Sequence, residues 1–284
     1  MVRSRTLLVL GIAVSIAVPV FTLPHLPHVT LLPVLLGLLP WVIGKYVLCP
    51  LRWRVLTDAG LNRRWHLRAY AESELLGLLT PGHVGADVWR LHRLTRGGLE
   101  RGDAVLSVGM DRFVGAVGVA VFVGFAGAAL PLHMLLVAAG VGIAAVATAL
   151  VVRKVRPEWL PSKPLPRPRQ LAHGLLLSAG YQLSIAALLL GTLAATGHTV
   201  SPLAVLGAFG ASQLAGAVPG PNGASPRDAA LVVALAALGV PWVAAVGAVA
   251  IKAVVAWVPA LVLGGVSLVL TRRALRSGVA PLPA

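Results

Sequence analysis

The stretch ESELLGLLTPGHVGADVWR, residues 72–90, decides how the chain is read. It sets Glu72, Glu74, Asp87 and Arg90 beside apolar helix formers and interrupts them with Pro81, Gly82 and Gly85. In a water-soluble protein this would be two ordinary helices and a turn. Here it lies in a chain of 284 residues, 57% hydrophobic and only 12% charged, with a mean hydropathy of +0.87. That composition belongs to a polytopic membrane protein. Apolar runs of about 20 residues, enough to cross ~30 Å of hydrocarbon, recur along the chain. They lack the alternation of a membrane barrel, so helices are the expected spans.

The formal net charge of +15 would suggest nucleic acid in a soluble protein, but here Lys and Arg cluster between the apolar runs. They read as topology signals, and no nucleic-acid partner is expected. The single cysteine, Cys49, has no intramolecular disulfide partner. Arg3 and Arg5 precede an apolar run from Leu7 to Leu23, which reads as an uncleaved first span rather than a signal peptide. A second span, about Val29 to Leu48, returns to LRWRVLTDAGLNRRWHLR, whose arginines mark a cytoplasmic loop. Long helices are expected over residues 103–130, 132–152, 171–196 and 241–270, with a basic, Pro-rich cytoplasmic loop ahead of the third. This places both termini on the cytoplasmic side of the cytoplasmic membrane.

The segments 66–94 and 203–238 are different: each is two short helical arms around a Pro/Gly break. Arms of about 10 to 16 residues fall short of a crossing. PGHVGA, starting at Pro81, matches PGPNGA, starting at Pro219, and Gly109 and Gly247 repeat the same spacing. Each copy runs full span, broken hairpin, full span, and the charge rule gives the copies opposite orientation. The expected fold is therefore an all-α polytopic membrane helix bundle, an inverted-topology repeat with two re-entrant helical hairpins. Residues 1–284 form a single integral membrane domain: a first span (1–28), repeat one (29–130), a span with the basic loop (131–170) and repeat two (171–273). Small residues at Ala69, Ser73 and Gly77, and at Ala204, Ala208, Ser212, Gly216 and Gly220, recur every fourth position and suit close helix contact in lipid.

An Asp or Arg at the bilayer centre costs about 2.5 to 3.5 kcal/mol on insertion scales, so such residues pair or face water. Asp87 and Arg90 lie on the second arm of the first hairpin, with Asp111 and Arg112 in the next helix. Arg227 and Asp228 follow the second break, and Lys252 lies in the last long helix. One reading is a polar groove for an anionic group, lined by these residues and by Pro81, Gly82, Gly85, Pro219, Gly220, Asn222 and Gly223 at the breaks. Helix N-termini after the breaks would add partly positive N–H groups. The other reading is a set of salt bridges within the protein, including Glu72 and Glu74 with Arg68 one turn away.

No metal site, nucleotide loop or nucleophile motif is present in the sequence, so neither cofactor nor catalytic residue is expected. LTPGHVGADVWRLHRLTRGG followed by AVLSVGMDRF, and VPGPNGASPRDAALVVALAALGVP followed by AVAIKAV, resemble the transmembrane region of lysylphosphatidylglycerol synthases and its stand-alone flippase-like relatives. The resemblance covers roughly residues 30 to 272. Asn222 and Ser225 stand where the family has glycines, and Asp228 stands for its glutamate. The resemblance implies movement or binding of a lipid with a polar head group, such as an aminoacylated phospholipid or a polyprenyl-phosphate-linked intermediate. The implied site is Asp87, Arg90, Asp111 and Arg112 with Arg227, Asp228 and Lys252. The partner is then a membrane lipid, alongside a homo-oligomer or a partner glycosyltransferase or synthase. The alternatives are a membrane-embedded transferase acting on a lipid phosphate and an accessory lipid-binding subunit.

Overall fold

The computed structural model describes residues 29–57, 60–78, 80, 84–125, 154, 164–215 and 225–276. The expected spans at 7–23 and 132–152, and Pro81, Gly82, Pro219, Gly220, Asn222 and Gly223, lie outside the described residues. Among those described, every regular element is helical. Helix α1 is Leu31–Leu56, α2 Arg63–Leu78, α3 Val84–Arg96, α4 Arg101–Phe125, α5 Pro168–Ala195, α6 Pro202–Leu214 and α7 Pro226–Ala237. Helix α8 runs from Trp242–Pro259 through a wider π-helical turn, Ala260–Gly264, into Gly265–Arg276. Four helices, α1, α4, α5 and α8, are long and apolar enough to cross a membrane.

The short helices are bounded by local chemistry. Ser201 caps α6 by accepting from the Ala204 N–H at 3.2 Å. Ser225 and Asp228 form a reciprocal capping box on α7. Pro168, Pro202 and Pro226 occupy the first turns of α5, α6 and α7, where no backbone donor is lost. The arms α2, α3, α6 and α7 contain 16, 13, 13 and 12 residues, each shorter than a full crossing. The breaks fall where the Pro/Gly motifs predict them, between Leu78 and Val84 and between Leu214 and Pro226.

Each half builds its own core. Trp53, Ala69, Tyr70, Leu94, Ala104 and Val108 pack α1, α2, α3 and α4 together. Leu189, Leu193, Val205, Phe209, Leu231, Leu235, Ala245 and Ala248 do the same for α5, α6, α7 and α8. Helices α1 and α5 cross where side chains vanish: a Cβ on Gly37 would lie 2.6 Å from the Ala187 carbonyl oxygen, and one on Gly191 would strike that of Pro33. The Thr30 N–H donates to the Ala195 carbonyl at 3.1 Å, so the two helices are antiparallel. Leu31, Leu32, Leu35, Leu36 and Leu39 leave α1 exposed along one side, as a lipid-facing helix requires.

Helix α1 departs from the sequence reading. It does not end near Leu48 but continues through a π-helical turn, Gly44–Leu48, to Leu56. Pro40 lacks the N–H that would close the preceding turn, and Pro259 stands in the same relation to the π turn of α8. The extension carries Arg52 into the core, so Arg52 is no loop arginine.

Candidate functional site

Four helices, α1 to α4, bring a chain of alternating charges into the first half. Lys45, on the π turn of α1, pairs with Glu74 of α2 at 2.9 Å. Arg90 of α3 reaches Glu74 at 3.4 Å and Asp111 of α4 at 3.0 Å, and donates to Ser73 at 3.1 Å. Arg52 closes the row on Asp111 at 2.7 Å and donates to Ser178 of α5 at 3.3 Å. Arg90 is only 2% exposed, and its guanidinium stacks 4.1 Å from the Tyr70 ring. The Lys45 ammonium sits 5.9 Å from the Tyr70 ring and 5.6 Å from that of Tyr181, contacts that favour a cation out of bulk water.

Asp87 and Arg90 are therefore not partners. Asp87 instead takes a forked ion pair from Arg112, with contacts of 2.9, 3.1 and 3.2 Å. Their side chains are 30% and 49% exposed, unlike any member of the buried row. Arg112 lies eleven residues into α4, about 16 Å from Arg101 at 1.5 Å per residue, near mid-depth for a crossing helix. Gly85 starts α3 against Thr80, whose hydroxyl accepts the Gly85 N–H at 2.8 Å.

Glu72 and Glu74 reach across to other helices: Glu74 pairs with Lys45 and Arg90, and Glu72 with Arg93. Glu72 is fully buried and holds the first hairpin to the far end of the chain. It accepts from Trp89 at 3.0 Å, from Ser267 at 3.0 Å and from Thr271 at 2.6 Å, with Arg93 at 3.3 Å. Ser267 also donates to the Arg68 backbone carbonyl.

In the second half, Lys252 of α8 donates to Asp228 at 2.9 Å, while the other Asp228 oxygen accepts from Ser225 at 2.6 Å. Arg227 is half-buried and forms no ion pair among the described residues; it lies within electrostatic range of Tyr181, Asp228 and Lys252. Lys45, Arg52, Ser178 and Tyr181 escape sequence reasoning because their partners are far away in the chain. A signal existed all the same: Lys45 is a cation inside a run expected to span. A cavity of about 230 Å³ lined by Thr57, Asp103, Ser107, Arg167 and Gln170 is separate from these charges.

Chemically, Lys45, Glu74, Arg90, Asp111 and Arg52 form a locked row and Lys252 is held by Asp228, whereas Asp87 and Arg112 keep access and Arg227 is half-buried. The profile described as lysylphosphatidylglycerol synthase TM region matches residues 7–264, agreeing with the resemblance carried by the two hairpin motifs. Comparison with curated proteins and with solved structures gives no match.

Proposed function

The chain belongs to the lysylphosphatidylglycerol synthase TM region family, and from that premise we propose that it translocates a lipid with a polar or anionic head group across the cytoplasmic membrane. The observation that carries this reading is the exposed Asp87–Arg112 pair halfway along a crossing helix. In hydrocarbon such a pair is costly, so this face meets water or lipid head groups. The head group moves along the polar track formed by Asp87, Arg112, Arg227 and Lys252 while its tails stay in the bilayer. The two hairpins re-enter from opposite leaflets as an inverted repeat, which gives a pathway meeting near the midplane. No catalytic step is proposed for the chain.

The test is movement of fluorescent lipids in proteoliposomes across several head groups. Asp87→Ala and Arg112→Ala are expected to lower the rate at least about tenfold at unchanged expression, the loss of one charge-assisted contact. Unchanged rates in both variants would remove the track.

A further inference from the structure

The cavity of about 230 Å³ shares no lining residue with the charged row or with the Asp87–Arg112 pair, and it opens where three helix ends meet. Thr57 follows the last residue of α1, Leu99 and Asp103 flank the start of α4, and Gln170 stands in the first turn of α5. The segments joining these ends are those in which Lys and Arg cluster. Ser107, on the inner wall, lies six residues beyond Arg101, about 9 Å along α4. The cavity therefore reaches from the basic end of the bundle to roughly the depth of lipid head groups.

Its inner wall is polar and buried: Thr57, Asp103 and Ser107 are 6%, 5% and 4% exposed. The Thr57 and Ser107 hydroxyls are bonded to each other, and Ser107 also accepts from the Trp53 Nε1–H at 2.9 Å. That bond uses one of the two hydroxyl protons, so the other has no acceptor among the described residues. Gln170 Oε1 accepts the Arg167 N–H at 2.7 Å, which leaves both Nε2 hydrogens in the same position. Asp103 has an interaction of its own, but a carboxylate offers about four lone-pair sites and still presents an acceptor. Donors and an acceptor thus face one small space. An ammonium satisfies only the acceptor and a phosphate only the donors, whereas a hydroxyl both donates and accepts. Arg167, exposed at the mouth, offers a planar fork to a phosphate that the Asp103 charge keeps off the inner wall. We propose that this cavity binds the head of a polyol phosphate, its hydroxyls against Thr57, Asp103, Ser107 and Gln170 and its phosphate against Arg167. Pockets for drug-sized ligands run from roughly 300 to 1,000 Å³, so this smaller one holds a head of glycerol or hexose size and no acyl chain. The same chemistry reaches it as a lipid head group or as a soluble polyol phosphate. Either way the site stands apart from the translocation track and does not depend on it.

The full chain in phosphatidylcholine nanodiscs is titrated with short-chain phosphatidylglycerol, phosphatidic acid or phosphatidylethanolamine, and binding is read by native mass spectrometry. Phosphatidylglycerol, which carries hydroxyls beyond its phosphate, is expected to bind at least about tenfold more tightly than either of the others. Gln170→Glu keeps the acceptor that caps α5 but replaces the amide donors with a negative charge, and it should erase that preference. Arg169→Gln, exposed beside the cavity but not lining it, should retain it. Equal affinity for phosphatidic acid, full preference in Gln170→Glu, or an equal loss in Arg169→Gln, which would report surface charge alone, each overturns the site. Glycerol 3-phosphate as competitor separates the sources: displacement at matching concentration assigns a soluble polyol phosphate, and no displacement assigns a lipid. Both results uphold the cavity when Gln170→Glu abolishes the binding they measure, and both sink it when that variant binds as wild type does.

Discussion

Arg90 and Arg112 are both arginines paired to an aspartate in neighbouring helices, yet their removal should cost very different amounts. Arg90, 2% exposed, is shared by Glu74, Asp111 and Ser73. Arg90→Ala leaves Glu74 with Lys45 and Asp111 with Arg52 but removes the charged hydrogen bonds that tie α3 to α2 and α4, a loss of about 1.5 to 3 kcal/mol. Arg112 is 49% exposed, so Arg112→Ala should cost no more than about 1 kcal/mol of stability. Thermal unfolding in detergent is expected to separate the two, and an Arg90→Ala protein as stable as wild type would refute the locked row. His66, outside the four crossing helices, is a second residue with a measurable signature. It is fully buried, flanked by the Trp53 and Trp65 rings, and its Nδ1–H donates to the Asn62 carbonyl while Nε2 finds no partner among the described residues. Burial holds its pKa down to about 4. The folded protein thus keeps His66 neutral where the unfolded chain, titrating near 6.5, already binds a proton. Stability should fall as pH drops from about 6.5 and level off near 4, a loss on the order of 3 kcal/mol. His66→Phe should flatten that part of the pH profile.

At the scale of helices, glycines set how closely elements pack. A Cβ on Gly264 would lie 2.6 Å from the Ala71 carbonyl oxygen and 2.7 Å from the Leu75 Cβ, where the π turn of α8 rests on α2. Backbone cannot yield as a side-chain tip can, so Gly264→Ala should destabilise by about 1 to 3 kcal/mol. Gly109, exposed on α4 with open space around it, should instead gain about 0.5 to 1 kcal/mol on replacement by Ala. Thermal unfolding of the two single variants checks the sign as well as the size. The difference marks what was legible in the sequence. Hairpin breaks and long helices follow from Pro/Gly punctuation and from apolar run length, both local properties, and so they were readable at Leu78–Val84 and in α4, α5 and α8. Which glycine is a contact and which is vacant depends on a neighbour far along the chain, as with Gly264 and Ala71. The same holds for the site. Asp87, Arg90, Asp111 and Asp228 stood out as charges in apolar surroundings, but the exchange of partners between Asp87 and Arg90 is decided by the approach of α4. Arg52 was masked by the arginines around it, since a charge at the end of a span looks the same whether the helix stops or continues for two more turns.

For the whole molecule, packing sorts the basic ends of the long helices. Helices α1 and α5 are antiparallel. Helices α4 and α5 run parallel, since Val114 contacts Gly174 and Gly118 approaches Ser178. Ser267 and Thr271 of α8 meet Glu72 of α2. Exposed Arg54, Arg101, Arg169 and Arg272 therefore gather at one end of the bundle, opposite Thr30, Ala195 and Trp242. From the positive-inside rule we infer that this end faces the cytoplasm. In a Cys49→Ala background, Glu100→Cys, Arg169→Cys and Arg272→Cys should react with an impermeant maleimide from the cytoplasmic side, and His198→Cys and Leu238→Cys from the other. The hairpin arms supply the sharper test, because re-entrant and fully crossing arms leave all five of those positions on the same sides. Val84, exposed in the first turn of α3, lies about 18 Å along that helix from Arg96. A re-entrant hairpin stops it near mid-depth, as it does Pro226 at the start of α7. Val84→Cys and Pro226→Cys should then react at least about tenfold more slowly than Glu100→Cys, because the reagent must enter a narrow polar track rather than meet bulk water. Full crossings would instead put Val84 in bulk water opposite Glu100 and Pro226 in bulk water beside it, both reacting fast, and that outcome would leave no midplane site for a head group to cross.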